Sequence, residues 1–583
     1  MLSDHALADK VLSDKGATRL RVGPLRALGR PRPGWSWDAA ALTVAGLLAV
    51  PVVVVLYSLA QPFGEVWHHL ASTVLSRYVA NTLILTAGVL LGVFVIGVGT
   101  AWLVTMCAFP GRRVFEWALF LPLAVPAYVL AYAYTGFLDY AGPVQTLIRD
   151  LFGVSYGEYW FPEIRSMGGA ITLLTLVLYP YVYMLARAAF IEQCICVLEI
   201  SRTLGCSSWR AFFTVALPLA RPAIAGGMAL AAMEALGDFG TVDYFAVDTF
   251  TAGIFRTWSA YGDLTATAQL AGVLLLFVLA VLLFERLSRG GGRFHHTSRR
   301  YQAIKLHPLR GRRAVLAFLA CFTPILFGFL LPGLLLGIWA VQEIAGGALD
   351  ATFARLALNS LHVAAVTALI AAGVGLILAY SLRMRPTAAT RGAVRTAGLG
   401  YAVPGMVVAV GVIIALAWAD RQVNAWLVTA FGWNPGLLFS GTMAALVFAY
   451  LVRFLAVSFN TVEASLAKVT PGMDAAARSL GERPVGVLWR VHLPLLRGSM
   501  LTAGLLVFVD VMKELPATLV LRPFNFNTLA VRAFELAADE RLRETALPAL
   551  AIVAVGIVPV ILLSRSIGRS RPGARAAQSQ EGM

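Results

Sequence analysis

The chain has 583 residues, of which 59% are hydrophobic and only 13% are charged, whereas a soluble domain carries about 25% charged residues. Uncharged runs such as 40–60, 268–284 and 546–563 reach the roughly 20 apolar residues that cross a bilayer core. This composition excludes a soluble protein and predicts an all-α polytopic membrane protein. The formal net charge of +16 lies mainly between the apolar runs, in alternate loops, as expected for membrane orientation, and it does not indicate nucleic-acid binding.

The apolar runs predict twelve transmembrane helices, with both termini in the cytoplasm because most Lys and Arg then lie inside. Residues 1–38 are polar and basic, and the first apolar run begins too far along the chain for a signal peptide. The predicted spans are 40–60, 80–106, 114–136, 168–188, 222–246, 268–285, 314–340, 361–382, 395–418, 438–458, 499–521 and 546–564.

A basic, glycine-containing segment divides the chain into two halves. The predicted division is an N-terminal cytoplasmic tail, a first six-helix half, a basic cytoplasmic linker, a second six-helix half and a C-terminal cytoplasmic tail. These units cover 1–38, 39–286, 287–313, 314–565 and 566–583, respectively.

Short motifs recur between the halves. Asn81-Thr82-Leu83 returns as Asn359-Ser360-Leu361, and the Val-Pro pair that contains Pro126 returns with Pro404, both 278 positions later. Because six spans is an even number, both halves enter the membrane in the same sense. We therefore expect two parallel repeats, related by a pseudo-two-fold axis along the membrane normal, with a shared pathway between them.

A longer repeat lies on the predicted cytoplasmic side. The first coupling loop, 199–222, and the second coupling loop, 475–498, share an R-(T/S)-L-G element and a later L-P-L element. Gly205 pairs with Gly481, and Pro218 with Pro494, 276 positions apart. Each loop predicts a helix–Gly–helix knob, because glycine suits the residue that follows a helix end. The two prolines are expected to mark the turn into the next span.

Four acids fall inside predicted spans at positions related by the same spacing of 276. Glu234 and Asp238 lie in the fifth span, and Asp510 and Glu514 in the eleventh. A separation of four residues predicts that each pair shares one helical face. Twelve residues beyond Pro222, Glu234 lies about 18 Å into the membrane. Intramembrane carboxylates usually face a cavity or a partner.

These acids have two interpretations. They could line both walls of the shared pathway, where carboxylate oxygens suit a hard cation such as ferric iron better than an anion. They could instead be structural, because Lys513 lies close enough to neutralise one of them. No residues are firmly assigned as a metal site.

The coupling loops resemble the EAA motif of permease subunits of binding-protein-dependent ABC importers. The stretches 237–242 and 513–530 are similar to the double-length ferric-iron permeases of that family. The resemblance implies the type I importer fold, a bacterial inner membrane location, and transport of ferric iron from a periplasmic binding protein. It also implies that each knob docks on one of two copies of a cytoplasmic ABC ATPase. The chain itself would be no enzyme and would bind no cofactor, since its partner uses the ATP.

The sequence departs from the motif in both loops. Ile200-Ser201 replace two alanines after Glu199, and Ala475 stands where the second loop should begin with glutamate, so that Asp474 is the nearest acid. The two knobs are therefore expected to differ in their contacts. Importers of thiamine, polyamine or phosphonate remain alternatives within the class. An ion-coupled secondary carrier is a further alternative, although such a carrier has no need of duplicated ATPase knobs.

Overall fold

The computed structural model describes residues 35–155, 157–192, 208–289 and 306–569. The first coupling loop up to Ser207, with Glu199 and Gly205, lies outside the described residues, as do most of both predicted tails and most of the linker. The predicted domain boundaries at 38, 286, 313 and 565 stay predictions.

Each half consists of long helices joined by short ones. The first half contains Trp35–Ser58, Glu65–Thr73, Leu75–Met106, Arg112–Ala118, Ala127–Leu138, Pro143–Phe152, Met167–Glu192, Ser208–Ala211, Leu217–Gly237, Gly240–Tyr244, Phe250–Arg256 and Leu264–Arg289. The second half contains Arg312–Ile325, Leu331–Ala345, Ala351–Met384, Ala388–Leu399, Gly405–Phe431, Met443–Leu466, Pro471–Ser479, Pro484–Val487, Leu493–Met512, Pro516–Leu521, Leu529–Ala538 and Ala546–Arg569.

Short irregular turns and one pair of strands complete the described fold. Leu121–Ala124 and Gly400–Ala402 form 3₁₀ turns. Four π-helical turns lie at Phe212–Ala216, Thr257–Tyr261, Leu326–Leu330 and Leu488–His492. The two-residue strands Cys107–Ala108 and His307–Pro308 pair in parallel, with Cys107 opposite His307.

The all-α polytopic fold is confirmed, but fewer straight spans are present than the twelve predicted. Within the described residues, ten helices are long and apolar enough to cross a membrane, and one bent pair raises the number to eleven. A shorter apolar helix, Ala546–Pro559, covers much of the last predicted span.

Two predicted spans are interrupted by the repeated Val-Pro pair. Arg112–Ala124 and Ala127–Phe152 meet at an angle of 89°, so the span predicted at 114–136 is broken. Pro126 has φ −59° and ψ 142°, and Pro404 has φ −55° and ψ 143°. Proline also disfavours helical backbone in the residue before it, so each pair ends one helix and begins another. The span predicted at 395–418 therefore starts at Gly405 and runs to Phe431.

Matching hydrogen bonds confirm that the halves are repeats. The Asn81 side chain donates to the Asp248 carbonyl at 3.0 Å, and the Asn359 side chain donates to the Asn527 carbonyl at 3.0 Å. Thr82 Oγ1 accepts from the Phe250 amide, as Ser360 Oγ accepts from the Leu529 amide. The repeated Asn-(Thr/Ser)-Leu motif thus holds the start of the short helices Phe250–Arg256 and Leu529–Ala538.

The halves also exchange their first spans. Trp35–Ser58 packs mainly on Gly405–Phe431 and Ala388–Leu399 of the second half. The span Arg312–Ala345 packs in return on Ala127–Leu138 and Leu121–Ala124 of the first half. The closest approach is at Gly411, where an added Cβ would lie 2.3 Å from the Pro51 carbonyl oxygen. This exchange brings the two repeats together around a central cavity.

Candidate transport pathway and coupling loop

A cavity of about 120 Å³ lies between the halves and is lined by residues from both. All four predicted pathway acids line it, together with two cations and three tyrosines. These residues are Glu234, Asp238, Asp510, Glu514, Arg453, Lys513, Tyr128, Tyr181 and Tyr401. The structure therefore brings together acids that the sequence placed 276 residues apart. Whether they contact cargo stays a prediction.

The wall helices Leu217–Gly237 and Leu493–Met512 end inside this region and short helices follow them. The predicted spans 222–246 and 499–521 are therefore each broken. The prediction that each acid pair shares one helical face is wrong for the same reason, since Asp238 has ψ 132° and lies beyond its helix end. Glu514 likewise follows the end of its wall helix at Met512.

Asp238 and Glu514 cap the short helices. Asp238 accepts from Thr241 Oγ1 at 3.0 Å and from the Val242 amide at 3.1 Å. Glu514 accepts from the amides of Ala517 and Thr518 at 2.8 and 2.9 Å. Amides at the start of a helix have no partner within the helix, and a carboxylate there also meets the positive end of the helix dipole. The second acid of each pair thus stabilises a helix break.

Glu514 also forms an ion pair with Arg453, at 3.0 Å between Oε1 and Nη1. The Glu514 side chain is 1% exposed and the Arg453 side chain 15%. Gly405 allows this contact, because a Cβ there would lie 2.7 Å from Arg453 Nη1 and 2.9 Å from Glu514 Oε1. Both carboxylate oxygens of Glu514 therefore accept hydrogen bonds within the protein.

The first acid of each pair has fewer partners. Asp510 Oδ1 lies 2.9 Å from Lys513 Nζ, which is the structural pairing that the sequence suggested. Glu234 Oε1 accepts a long hydrogen bond of 3.4 Å from Tyr401 Oη, a residue of the other half. Glu234 and Asp510 line one cavity together with Tyr181 and Tyr401. The two equivalent acids therefore share one region between the halves.

Arg453, Tyr401 and Tyr181 were not among the site residues predicted from the sequence. Arg453 was recognisable, because it is a charge inside the predicted span 438–458 and such charges commonly mark functional sites. The tyrosines carried no comparable signal, since aromatic side chains are common in apolar helices. Among the described residues, no group of three His, Cys, Asp or Glu side chains is arranged to hold a metal ion.

The described part of the second coupling loop has the predicted helix–Gly–helix form. Helix Pro471–Ser479 ends before Gly481, which has φ +86°. Residues with a side chain rarely adopt such a conformation. Pro484 then takes a first-turn position of the next short helix, as predicted.

Pro218 and Pro494, the prolines of the L-P-L elements, do not turn the chain. Phe212–Gly237 and Pro484–Met512 each run as one apolar helical segment through Pro218 and Pro494, respectively. A π-helical turn precedes each proline, at Phe212–Ala216 and at Leu488–His492. Proline donates no amide hydrogen bond and crowds the preceding turn of an α-helix. A widened turn at this point is consistent with accommodating the proline without ending the helix, so the prediction of a turn is wrong.

Asp474 points into the protein. Its Oδ2 accepts from Arg383 Nε at 3.0 Å, and its Oδ1 lies 2.7 Å from His492 Nε2. Burial acts to raise the pKa of Asp474, but the hydrogen bonds with Arg383 and His492 outweigh it and hold the pKa below its usual value. Arg383 also donates to the carbonyls of Leu466 and Val469. Asp474 thus joins the loop helix to the end of Ala351–Met384 and to the π-helical turn at Leu488–His492.

Part of the chain matches a known family of transport proteins. Residues 94–290 match the family described as "Binding-protein-dependent transport system inner membrane component". The chain is therefore similar to the inner-membrane permease components of binding-protein-dependent transport systems. Ferric permease relatives match it across both halves, which is the length expected of a double-length permease.

Three relatives illustrate the range of similarity. The Fe(3+)-transport system permease protein FbpB 2 of Haemophilus influenzae is 25% identical over 84% of this chain and 90% of its own length. The putative ferric transport system permease protein FbpB 1 of the same organism is 24% identical over 78% of this chain and 72% of its own length. The molybdenum transport system permease protein ModB of Escherichia coli is 28% identical over 33% of this chain and 84% of its own length.

Proposed function

We propose that this permease moves ferric iron, delivered by a periplasmic binding protein, into the cytoplasm. The main observation in support is the cavity between the halves, which the equivalent acids Glu234 and Asp510 both line. The similarity to ferric permeases over most of the chain supports the same cargo.

The balance of charge around the cavity favours a cation. Four carboxylates line it against two basic side chains, Arg453 and Lys513. Carboxylate oxygen suits a hard, highly charged cation. The acids that the structure describes do not converge as a chelating site, and this suits a passage, because an ion that binds too tightly cannot leave.

We infer that two copies of a cytoplasmic ABC ATPase drive the transport, one at each coupling loop, and that both termini are cytoplasmic. ATP is used by this partner, and the permease binds no cofactor of its own. The second loop carries apolar side chains suited to docking, and these exposed residues are Met473, Leu480, Val485 and Trp489. Glu199 of the first loop and the inward-facing Asp474 of the second support an unequal grip on the two ATPases.

Uptake by the complete complex tests the cargo. Proteoliposomes containing permease and ATPase, with the binding protein and labelled ferric ion outside, are expected to accumulate iron only with ATP inside. Unlabelled ferric ion should compete, whereas thiamine, putrescine, a phosphonate and molybdate should not. Competition by any of those four in place of ferric ion would refute the proposed cargo. Uptake driven by an ion gradient without ATP would identify a secondary carrier instead.

A matched pair of variants tests the pathway. Glu234→Gln removes the carboxylate that faces the cavity, and we expect iron uptake to fall at least about tenfold. Glu65→Gln, at an exposed position in a short helix that does not line the cavity, is expected to transport like the wild type. Equal uptake by both variants would show that Glu234 is not part of the pathway.

A further inference from the structure

The two walls of the cavity carry equivalent acids but not equivalent cations. Arg453 and Lys513 of the second half correspond, 276 positions earlier, to Val177 and Gly237 of the first. All four of these residues line the cavity. Among the residues that the structure describes, both positive charges in the cavity lining therefore belong to the second half, and none belongs to the first.

The two cations differ in how firmly they are held. Arg453 bonds to a glutamate that also caps a helix, and both side chains are largely buried. Lys513 pairs with Asp510 alone, and its side chain is 31% exposed. Its backbone is fixed by Tyr128 Oη, which donates to the Lys513 carbonyl at 3.3 Å. A lysine ammonium on a flexible four-carbon stem can leave its partner while its backbone stays in place.

Lys513 lines the same cavity as Glu234, an acid of the opposite wall. Its ammonium pairs with Asp510 at 2.9 Å. Glu234 forms no salt bridge with the basic side chains that the structure describes, and it accepts a long hydrogen bond from Tyr401. The lysine therefore holds one of the two equivalent carboxylates that a cation in this cavity would contact.

We propose that Lys513 is a tethered counter-ion that occupies the cation position between Glu234 and Asp510 and that the transported cation must displace. This inference rests on the proposed passage of a cation through the cavity. A trivalent ion competes for two carboxylates far better than a monovalent ion, because its attraction to each is three times larger. Lys513 thus lowers the affinity for all cations and keeps singly charged ions from occupying the pathway. It acts on selectivity by positioning charge and takes no part in ATP hydrolysis.

Binding of Tb³⁺, a hard trivalent ion, tests this assignment without transport. Luminescence sensitised by the cavity tyrosines Tyr181 and Tyr401 reports its binding to the purified permease–ATPase complex. Lys513→Met removes the charge and keeps the length of the side chain, and we expect the Kd for Tb³⁺ to fall by at least about tenfold. Lys513→Arg should bind like the wild type. Lys468→Met, in the exposed segment after Met443–Leu466, is the matched control and should also bind like the wild type.

Second variants keep the assignment falsifiable. Glu234→Gln in the Lys513→Met background should reverse the gain in affinity, which separates the cavity from surface sites. If Lys513→Met does not fold, Lys513→Gln replaces it with the same expectation. Wild-type affinity in a folded Lys513→Met or Lys513→Gln variant, or an undiminished gain with Glu234→Gln, would overturn the proposal. A complex that binds Tb³⁺ as expected but takes up no ferric ion would refute the cargo and leave the counter-ion standing.

Discussion

Glu514 and Asp238 occupy equivalent positions in the two halves, yet they contribute differently to stability because their surroundings differ. Both cap a short helix at the break that follows a wall helix. Only Glu514 also neutralises a buried guanidinium, that of Arg453. Removing one partner of a buried ion pair leaves the other charge without compensation, which is more costly than losing a hydrogen bond alone.

We therefore expect Glu514→Gln to destabilise the protein by about 3–5 kcal/mol. Glu234→Gln, which at most weakens one long hydrogen bond, should cost less than about 1 kcal/mol. Thermal unfolding of both variants in the same detergent measures the difference. A Glu514→Gln variant as stable as Glu234→Gln would show that the Arg453 pair contributes little to the fold.

At the scale of an element, Asp474 is a main attachment of the second coupling loop. It joins helix Pro471–Ser479 to Arg383 at the end of Ala351–Met384 and to His492 in the π-helical turn. A second attachment is made by Tyr380, whose hydroxyl donates to the Pro484 carbonyl at 2.6 Å. Exposed apolar residues such as Leu480 stay free to meet a partner.

Hydrogen exchange of helix Pro471–Ser479 tests this attachment. The pKa of Asp474 is lowered in the folded protein, so its stabilisation is fully present above the ordinary carboxyl pKa of about 3.9 and is lost as the pH falls through the lowered value. Protection should therefore be constant from neutral pH to about pH 4 and decrease below it. Asp474→Asn should exchange faster already at neutral pH, while Asp539→Asn, near the start of Ala546–Arg569, should not. Equal protection in Asp474→Asn and the wild type would contradict the attachment.

The whole molecule is held together by contacts that cross between the repeats. Asp38 of the first span pairs with Arg385 and accepts from Thr390, both of the second half. Arg165 of the first half donates to both carboxylate oxygens of Glu540 of the second. That hydrogen bonding holds the pKa of Glu540 below its usual value. The largest crossing contact is the packing of Trp35–Ser58 on Gly405–Phe431.

Gly411→Ala tests that packing. The new Cβ would lie 2.3 Å from a backbone oxygen of Pro51, so the first span must move. We expect a loss of about 1–3 kcal/mol, as in other overpacked interfaces. Gly373→Ala, in a helix with open space around the glycine, should be neutral or stabilising by up to about 1 kcal/mol. Thermal unfolding of the two variants gives the comparison, and equal stability would contradict the close approach.

The sequence by itself determined the membrane class, the duplication, the position of the acids and the form of the second coupling loop. These follow from local chemistry: apolar runs suit lipid, glycine suits a positive φ at Gly481, and a repeated motif implies a repeated contact. The breaks at Asp238 and Glu514 were not predictable, because apolar composition continues through them and only capping contacts reveal that the helix ends. The continuation through Pro494 was missed because a π-helical turn leaves no compositional signal.

Only the tertiary structure decided which acid meets which partner. Glu234 lies opposite Tyr401 and Glu514 opposite Arg453, and both contacts join residues far apart in the chain. The sequence could suggest the pairing of Asp510 with Lys513, since three residues separate them on one helix turn. The sequence could not show that the two walls of the cavity carry different charges, because only the tertiary structure shows which residues line it.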